Sequence, residues 1–583
     1  MTAAIANTPS SDSNLLLVFA PFDRLVVSME NVGIEYIAAY ARAKGFRANI
    51  VNAGLHGLST ADTIAIVRRS RFKVLGLSTI HWNLAAALRI AEESRKAHPE
   101  SHIILGGVEA ALNAEAILPG HPYVDTVCMG EGEITVSALL RELSRGGNWK
   151  NLPGLAFREG RRVKFTAPLP LIGDLNSLPH PVRDDMAAVL DAGGPVSISS
   201  SRGCFGRCSF CSVRAFYDLS PGAAWRGRSP ASVVNEMREI HETYGAVLFS
   251  FIDETVVGPG ESGRERLIRL ARLIKESGMN VSFFMTIRAD QVESRLFMEL
   301  KEAGLRKVEI GIESIAASQL RRYGKTAGVE QNIRALEILE DLGLGVEIFM
   351  IPFDSELSEP ELRENLRFYR SRFDGKCRYD VAPLSLANYL YPYPGTRARE
   401  LYEKSGWLQQ DDPVRFRALD KAIERIGQTV TAFIALFEPA FPMSFSGLGN
   451  LWINSASLPA PLYARICEIC AEYGRLAVRF ADWALSAVSL QPSAESVQTI
   501  LAGLRGFVGE LASLQQETEV LTKNYGSDLH KPGFRIQNPF AEELYVLGRD
   551  RKKLLRRTAR DGCFDEDDTI TTLLNLIVRE PWT

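Results

Sequence analysis

The chain has 583 residues, of which 46% are hydrophobic and 23% charged, and its formal net charge is −3. That length is too great for one hydrophobic core and predicts about three domains. The composition is typical of a soluble globular protein, and the small net charge provides no basic field for nucleic acid. No apolar run is long enough to cross a bilayer, and the polar start of the chain is not expected to act as a signal peptide.

The first 150 residues alternate between predicted strands and predicted helices. The apolar run 15–20 predicts a strand buried on both faces, and apolar spacing from Ile34 to Ala41 predicts a helix that ends at Gly45. Further strands are predicted at 50–51, 74–78, 102–105 and 124–129, with helices at 63–69 and 84–96. This α/β alternation predicts a doubly wound, Rossmann-like parallel sheet, whose ligands bind at the carboxyl ends of the strands.

Residues 151–190 are predicted to connect two domains. Leu155 to Phe165 has the pattern of a β-hairpin that turns at Glu159-Gly160. The prolines that follow, at positions 168, 170, 179 and 181, predict a stiff linker.

A second alternation of strands and helices occupies residues 191–405. Strands are predicted at 195–200, 247–252, 281–287, 308–312, 345–351 and 381–386, and helices at 230–244, 262–276, 329–342 and 359–368. Repeated βα units with right-handed crossovers predict a partial TIM-type (β/α)6 barrel, whose site residues stand at the carboxyl ends of its strands.

Residues 406–583 are predicted to form a mainly helical C-terminal domain. Its helices are predicted at 418–437, 463–487 and 495–514. Cys467 and Cys470 lie inside one of these helices without a companion histidine, so packed core thiols are favoured over a second metal site.

Cys204, Cys208 and Cys211 stand in the spacing C-x3-C-x2-C. A predicted strand precedes them, and Gly203 and Gly206 allow a tight loop. A tetrahedral zinc site would need a fourth ligand. A four-iron four-sulfur cluster held by three thiolates instead leaves one iron open to a ligand that is not protein. Buried or zinc-bound cysteines are the alternative, and the clustered thiols predict a reducing cytoplasm.

This motif resembles that of the radical S-adenosylmethionine (radical SAM) superfamily, whose open iron binds the amino and carboxylate groups of SAM. The resemblance covers residues 196–401 and implies that the three cysteines hold a 4Fe-4S cluster. The SAM contacts that it implies are Phe210, Asp253, Glu254, Arg288, Glu313 and Ser314. The alternative for each carboxylate is capping of the following helix. A small-molecule substrate and an electron donor such as flavodoxin or ferredoxin are the implied partners.

Three glycine-containing segments stand at the ends of predicted strands of the first domain: Gly76 to Thr79, Leu105 to Gly107 and Gly130 to Thr135. They resemble the loops of the cobalamin-binding domain that precedes the radical SAM domain in one large subgroup. The cobalamin contacts that this implies are Ser78, Thr79, Gly106, Gly107, Gly130, Glu131, Gly132 and Glu133. The alternative is that these are ordinary turn glycines of a flavodoxin-like sheet.

The chain departs from that subgroup after the second predicted strand. Many cobalamin domains carry D-x-H-x-x-G there, whose histidine binds cobalt from below, whereas residues 52–57 lack that spacing. The resemblance therefore implies cobalt without a histidine on its lower face. His56 and His81 are the histidines in suitable loops, and each is more readily explained as a solvated side chain.

Together the two resemblances imply a cobalamin-dependent radical SAM methyltransferase. Such an enzyme transfers a methyl group from SAM, via methylcobalamin, to carbon or phosphorus of a small molecule or natural-product intermediate. The alternatives are cyclisation, rearrangement or oxidation without methyl transfer, and polar methylation without a radical. A corrinoid-binding sensor with a structural cluster is the alternative outside enzymes. The sequence indicates neither the substrate nor a catalytic residue.

Overall fold

The computed structural model describes residues 13–21, 30–374, 383–408, 416–435, 460–489, 494–529 and 573. These residues divide into two compact units. The first contains the described residues up to Arg207, together with Cys211–Thr286 and Met298–Leu305. The second contains Cys208–Phe210, Ile287–Phe297 and the described residues from Arg306 onward. Within the described ranges, no helix has both the length and the apolar character needed to cross a membrane.

The first unit contains a seven-stranded sheet. Its strands are β1 (Ser13–Phe19), β2 (Ala48–Asn52), β3 (Phe72–Ser78), β4 (His102–Gly106), β5 (Thr126–Cys128), β6 (Leu155–Glu159) and β7 (Arg162–Phe165). They lie in the order β2-β1-β3-β4-β5-β6-β7, with β1 to β5 parallel. The predicted hairpin is formed by β6 and β7, and it continues the sheet because β6 pairs with β5 in antiparallel register.

Helices cover both faces of this sheet. They are α1 (Val32–Ala43), α2 (Thr60–Arg69), α3 (Leu84–Ala97), α4 (Val108–Leu112), α5 (Ala114–Gly120) and α6 (Gly132–Arg145). On one face Leu16 and Leu75 pack with residues of α2, α3 and α5, and on the other Leu15 and Val74 pack with α1 and α6. Adjacent strand residues thus supply opposite cores, as the pleat requires. The doubly wound fold is confirmed, and α4, α5 and α6 add to the predicted helices.

The rest of the first unit contains two further groups of strands. The elements are α7 (Met186–Asp191), β8 (Val196–Ile198), β9 (Ser201–Gly203), α8 (Ser212–Tyr217), β10 (Trp225–Gly227), α9 (Pro230–Tyr244), β11 (Leu248–Phe251), α10 (Gly260–Glu276), β12 (Ser282–Arg288) and α11 (Ser294–Glu302), the last two continuing across the unit boundary. β11 pairs in parallel with β8 and β12, while β9 and β10 form an antiparallel ribbon. The ribbon leads directly into the cysteine motif.

The second unit continues the βα alternation and then becomes helical. Its elements are β13 (Leu305–Glu313), α12 (Ala317–Arg322), α13 (Val329–Asp341), β14 (Gly345–Met350), α14 (Glu359–Asp374), α15 (Arg397–Lys404), α16 (Lys421–Ala435), α17 (Ala460–Val488) and α18 (Ala494–Leu529). β13 and β14 are parallel. Cys467 and Cys470 are buried in α17, which confirms that they are packed thiols.

The strand predicted at 381–386 is wrong over the part that the structure describes. Pro383–Ala387 forms a 3₁₀ helix, and residues 381 and 382 lie outside the described ranges. Pro383 has no N–H to donate and a fixed φ, both of which disfavour a strand interior. A single parallel bridge between Phe353 and Tyr389 follows this helix.

Candidate cofactor site

A cavity of about 270 Å³ lies within the first unit, at the carboxyl ends of the central strands. The strand order reverses beside β1, with β2 on one side and β3 to β5 on the other. Such a switch point opens a crevice in which doubly wound sheets bind their ligands. Seven of the eight residues predicted to contact cobalamin line this cavity, namely Ser78, Gly106, Gly107, Gly130, Glu131, Gly132 and Glu133.

Thr79, the eighth of these residues, is fully buried and supports the cavity wall. Its hydroxyl donates to the carbonyl oxygen of Gly106 at 2.8 Å and accepts from the backbone N–H of Ala110 at 3.0 Å. Gly107 has φ +89°, and a Cβ there would clash with the Thr79 carbonyl oxygen. Thr79 and Gly107 therefore fix the loop after β4 by packing against each other.

At Gly106 and Gly33, the surrounding protein leaves room for a side chain that neither glycine has. A Cβ at Gly106 would meet only the Cβ of Cys128, at 3.8 Å, and a Cβ at Gly33 only Oδ1 of Asn31, at 3.4 Å. Both glycines line the cavity. Since protein packing would tolerate a side chain at Gly106, the missing side chain keeps the cavity open. A broad, flat macrocycle such as a corrin is a group that fits against such a wall.

The remaining wall comes from the segment around the cysteine motif. Its members are Ser199, Ser201, Arg202, Phe216, Tyr217, Ile252 and Glu254. Ile252 is 40% exposed although it is apolar. An exposed apolar side chain in a cavity wall indicates a contact surface for an apolar group. The same cavity is therefore bordered by the predicted cobalamin loops and by the chain that flanks the cysteines.

Asp253 and Glu254, predicted as a pair, have different surroundings. Asp253 is buried and accepts from the backbone N–H of Ser200 at 3.1 Å and from the hydroxyls of Ser200 and Ser201. Burial raises the pKa of the Asp253 carboxyl above its ordinary value. These three donors join the Asp253 carboxylate to the turn between β8 and β9, so the contacts of Asp253 are structural.

The Glu254 carboxylate instead reaches the cavity. It accepts from the backbone N–H of Gly203 at 3.0 Å and from the hydroxyl of Tyr217 at 3.4 Å. Enclosure by the cavity walls raises the pKa of this carboxyl above its ordinary value. Of the predicted pair, Glu254 is the residue that lines the cavity.

The cysteine loop begins at the end of β9. Gly203 has φ +83°, and a Cβ there would clash with the carbonyl oxygen of Ala224. The sulfur of Cys204 accepts a hydrogen bond from the backbone N–H of Gly206, with 3.3 Å between the nitrogen and the sulfur. Such N–H donors stabilise thiolate ligands of iron–sulfur clusters. All three motif cysteines are half-buried, unlike Cys467 and Cys470, which are buried.

Across the described ranges, no three His, Cys, Asp or Glu side chains are gathered closely enough to hold one metal ion. A 4Fe-4S cluster does not require such a gathering, because each thiolate binds a different iron. The donor set of three thiols in one short loop therefore fits a cluster rather than a single ion.

Phe210 and Arg288, predicted to contact SAM, belong to the second unit. The ring of Phe210 packs edge-on against Tyr323, with 5.4 Å between ring centroids. The guanidinium of Arg288 donates to both carboxylate oxygens of Asp290, at 3.0 and 2.7 Å, and to the hydroxyl of Thr326 at 2.9 Å. The charge of Arg288 is thus already compensated within its own loop.

Glu313 is the last residue of β13 and Ser314 follows it, both in the second unit. Glu313 has φ 66°, the one positive φ outside glycine among the described residues. Such strain in a non-glycine residue is typical of functional positions. Its carboxylate lies 3.3 Å from Nζ of Lys325, and burial raises its pKa. Ser314 is fully buried and donates to Oε1 of Gln319 at 2.6 Å, so its hydroxyl serves an internal network.

The two candidate histidines lie outside the cavity wall. Nε2 of His56 is 2.9 Å from Oδ1 of Asp185, and this hydrogen bond raises the pKa of His56. Nδ1 of His81 is 3.8 Å from Oε1 of Glu109. No histidine occurs among the described residues that line the cavity. The absence of a histidine below cobalt stays a prediction.

Sequence reasoning missed several lining residues, among them Val32, Tyr36, Phe216, Tyr217 and Ile252. Tyr36 projects from α1, and its ring lies 4.8 Å from the guanidinium carbon of Arg202. Burial raises the pKa of Tyr36 to about 12. The pair Phe216-Tyr217 follows the third cysteine by a few residues, which is a signal that could have suggested a site role.

Comparison with protein families agrees with this arrangement. The B12 binding domain family matches residues 23–140, and the Radical SAM superfamily matches residues 198–366. These ranges contain, respectively, the cobalamin loops and the cysteine motif.

Curated relatives cover much of the chain at low identity. An uncharacterized methyltransferase from Pyrococcus horikoshii is 27% identical over 66% of this chain and 82% of its own length. Hopanoid C-3 methylase from Methylococcus capsulatus is 26% identical over 65% of this chain and 69% of its own length. An anaerobic magnesium-protoporphyrin IX monomethyl ester cyclase from Synechocystis sp. is 27% identical over 42% of this chain and 48% of its own length.

A solved structure shares the fold. The cobalamin-dependent S-adenosylmethionine radical enzyme OxsB, with aqua-cobalamin and S-adenosylmethionine bound, has a TM-score of 0.68 and 18% sequence identity. The similarity covers 93% of this chain and 84% of that chain. The predicted fold class, a cobalamin-binding sheet followed by a radical SAM domain and a helical C-terminal region, is confirmed. The predicted cofactors of this chain, a 4Fe-4S cluster, SAM and cobalamin, are confirmed as well. The chain thus contains a B12 binding domain followed by a Radical SAM domain, the arrangement that characterises cobalamin-dependent radical SAM enzymes.

Proposed function

We propose that the protein is a cobalamin-dependent radical SAM methyltransferase that acts on carbon or phosphorus of a small molecule. The observation that carries the proposal is the cavity of the first unit, which is lined both by the cobalamin loops and by the chain flanking Cys204. Methyl transfer between two cofactors requires both to reach one reaction space. The two methyltransferase relatives support this reading over most of their own length.

The chain's residues divide between the cofactors as follows. Cys204, Cys208 and Cys211 would hold the cluster, and Glu254 would contact SAM from the cavity wall. Ser78 and Gly106 would lie against cobalamin. When bound, the cluster supplies the electron that cleaves SAM, and cobalamin supplies the methyl carrier.

The side chains of the cavity wall would exclude water from the reaction space and hold SAM in position. Phe216, Tyr217 and Ile252 present apolar surface, which excludes water from the space beside the cofactors. Glu254 is held by the backbone N–H of Gly203, the residue before Cys204. A SAM molecule held by Glu254 would therefore lie next to the start of the cluster loop.

A second candidate function is rearrangement or cyclisation without methyl transfer. The magnesium-protoporphyrin cyclase relative favours it, although the match spans less than half of that protein. For either function we propose a small-molecule substrate rather than nucleic acid or a membrane. We also propose an external electron donor such as flavodoxin or ferredoxin and, because clustered thiols need a reducing compartment, a cytoplasmic location.

Isotope transfer from SAM tests the proposed function. The protein, reconstituted anaerobically with a cluster and hydroxocobalamin, is incubated with reductant, methyl-labelled SAM and pools of candidate small molecules. The expected result is a product that carries the label, found by mass spectrometry, and found only when cobalamin is supplied. A new product without label, either of changed mass or an isomer separated by chromatography, would instead establish oxidation or rearrangement. The sample without cobalamin is the matched control.

A further inference from the structure

Two arginines stand opposite each other on the ribbon that leads into the cysteine motif. Arg202 of β9 is the register partner of Arg226 of β10. Their side chains are 14% and 4% exposed. Like charges directly opposite on paired strands are destabilising, and the repulsion grows where water is excluded. The ribbon therefore needs nearby negative charge to form.

Two carboxylates of the predicted cobalamin loop supply that charge. Oε1 of Glu131 accepts from Nη1 of Arg202 at 3.0 Å, and Oε1 of Glu133 accepts from Nη2 of Arg202 at 2.6 Å. Nη1 of Arg226 lies 2.9 Å from each carboxylate oxygen of Glu131. The side chains of Glu131 and Glu133 are only 7% and 3% exposed. Removing one partner of such a buried, charge-assisted ion pair is strongly destabilising, because the other charge is left buried and unpaired.

Glu131 has little capacity left for a ligand. Its Oε2 also accepts from the backbone N–H of Ile172 at 2.7 Å, and Nη1 of Arg226 donates to the carbonyl oxygen of Ile172 at 3.0 Å. Arg202 in turn covers the ring of Tyr36 on α1. The carboxylates thus join the loop after β5 to the ribbon, the linker segment and α1.

We infer that Glu131 and Glu133 are positioning residues that couple occupancy of the cobalamin cavity to the geometry of the cluster loop, an inference that rests on the proposed function. Glu131 belongs to the loop after β5 and Glu133 to the first turn of α6, and both line the cavity. Arg202, which they hold, lies two residues before Cys204. A ligand that shifts the loop after β5 shifts the strand that enters the cluster loop. By thermodynamic linkage, the cluster must change cobalamin affinity by the factor by which cobalamin changes cluster affinity.

The test compares hydroxocobalamin affinity with and without the cluster. Full-length protein is titrated by absorbance in two forms, one with a reconstituted cluster and one without iron. In the wild type the two dissociation constants should differ by about fivefold or more. In Glu133→Gln, which keeps the shape and removes the charge, this difference should disappear. Glu115→Gln, at an exposed position of α5, is the matched control and should keep the wild-type difference.

The remaining outcomes would contradict either the coupling role or the proposed function, and the titrations distinguish the two. If Glu133→Gln weakens hydroxocobalamin binding equally in both forms, Glu133 is a direct contact and the coupling role is overturned. Equal dissociation constants in the two wild-type forms would overturn it as well. Failure of the wild type to bind hydroxocobalamin would overturn the proposed function itself. Should Glu133→Gln not fold, Arg202→Lys serves instead, because lysine keeps the charge but cannot span both carboxylates, and the difference should again be lost.

Discussion

Replacing Cys204, Cys208 and Cys211 together by alanine is expected to abolish iron binding. The wild type, reconstituted anaerobically, should hold about four iron and four sulfide per chain, with SAM completing the coordination of the open iron. Without the three thiolates no ligand for the cluster remains in the loop after Gly203. Iron and sulfide assays, together with the charge-transfer absorbance of the brown cluster, measure the loss.

The matched control is the pair of cysteines in the helical region. Cys467 and Cys470 are buried in α17 among apolar side chains, so alanine at both positions should leave the iron content unchanged. A full cluster in the triple variant, or loss of iron in the control, would place the cluster ligands elsewhere in the chain.

Gly106→Val is expected to weaken cobalamin binding strongly while the domain still folds. Gly106 ends strand β4, where valine is well accommodated, and its Cβ would meet only Cys128 at an ordinary distance. The rest of the side chain would occupy cavity space that the proposal gives to the corrin. Overpacking a fitted site costs roughly 1–3 kcal/mol, which corresponds to a loss of about fivefold to 150-fold in affinity. An absorbance titration with hydroxocobalamin measures it.

Gly120→Val controls for the general effect of adding a branched side chain. Gly120 ends α5, is exposed and has open space where a Cβ would stand. It is absent from the cavity wall, so its valine variant should bind cobalamin as the wild type does. Unchanged affinity in Gly106→Val would show that cobalamin does not occupy this cavity.

Periodicity predicted most of the fold because the buried faces repeat regularly along the chain. The strand run at 15–20 and the helix at 230–244 appear at nearly the predicted positions. The strand at 381–386 failed because Pro383 interrupts an apolar run that otherwise has strand composition. The hairpin 155–165 was predicted, but its pairing with β5 was not. Which distant strands pair with each other is not encoded in the local pattern of apolar and polar residues. The domain boundaries at 150, 190 and 405 stay predictions.

Motif spacing predicted correctly which loops line the cavity. It did not predict which side chains in those loops are free to contact a ligand. Ser78 and Gly106 line the cavity as expected. Asp253 and Glu131 occupy predicted positions, yet their oxygens accept from Ser200, Ser201 and two arginines that lie far away in the sequence. A motif cannot distinguish a ligand carboxylate from one that is satisfied within the fold, because the partners come from other segments. The assignments of Phe210, Arg288, Glu313 and Ser314 to SAM stay predictions for the same reason.

The balance of SAM coproducts over a time course tests the central claim most directly, which is that both cofactors serve one methyl transfer. In such a transfer one SAM would give up its methyl group and leave S-adenosylhomocysteine. A second SAM would be cleaved with one electron into methionine and a 5′-deoxyadenosyl radical, which becomes 5′-deoxyadenosine by taking a hydrogen atom from the substrate. With a competent substrate and reductant, we expect nearly equal amounts of the two coproducts, each matching the methylated product. S-adenosylhomocysteine alone would indicate polar methylation, and 5′-deoxyadenosine with persistent absence of S-adenosylhomocysteine would contradict the methyltransferase in favour of rearrangement or oxidation.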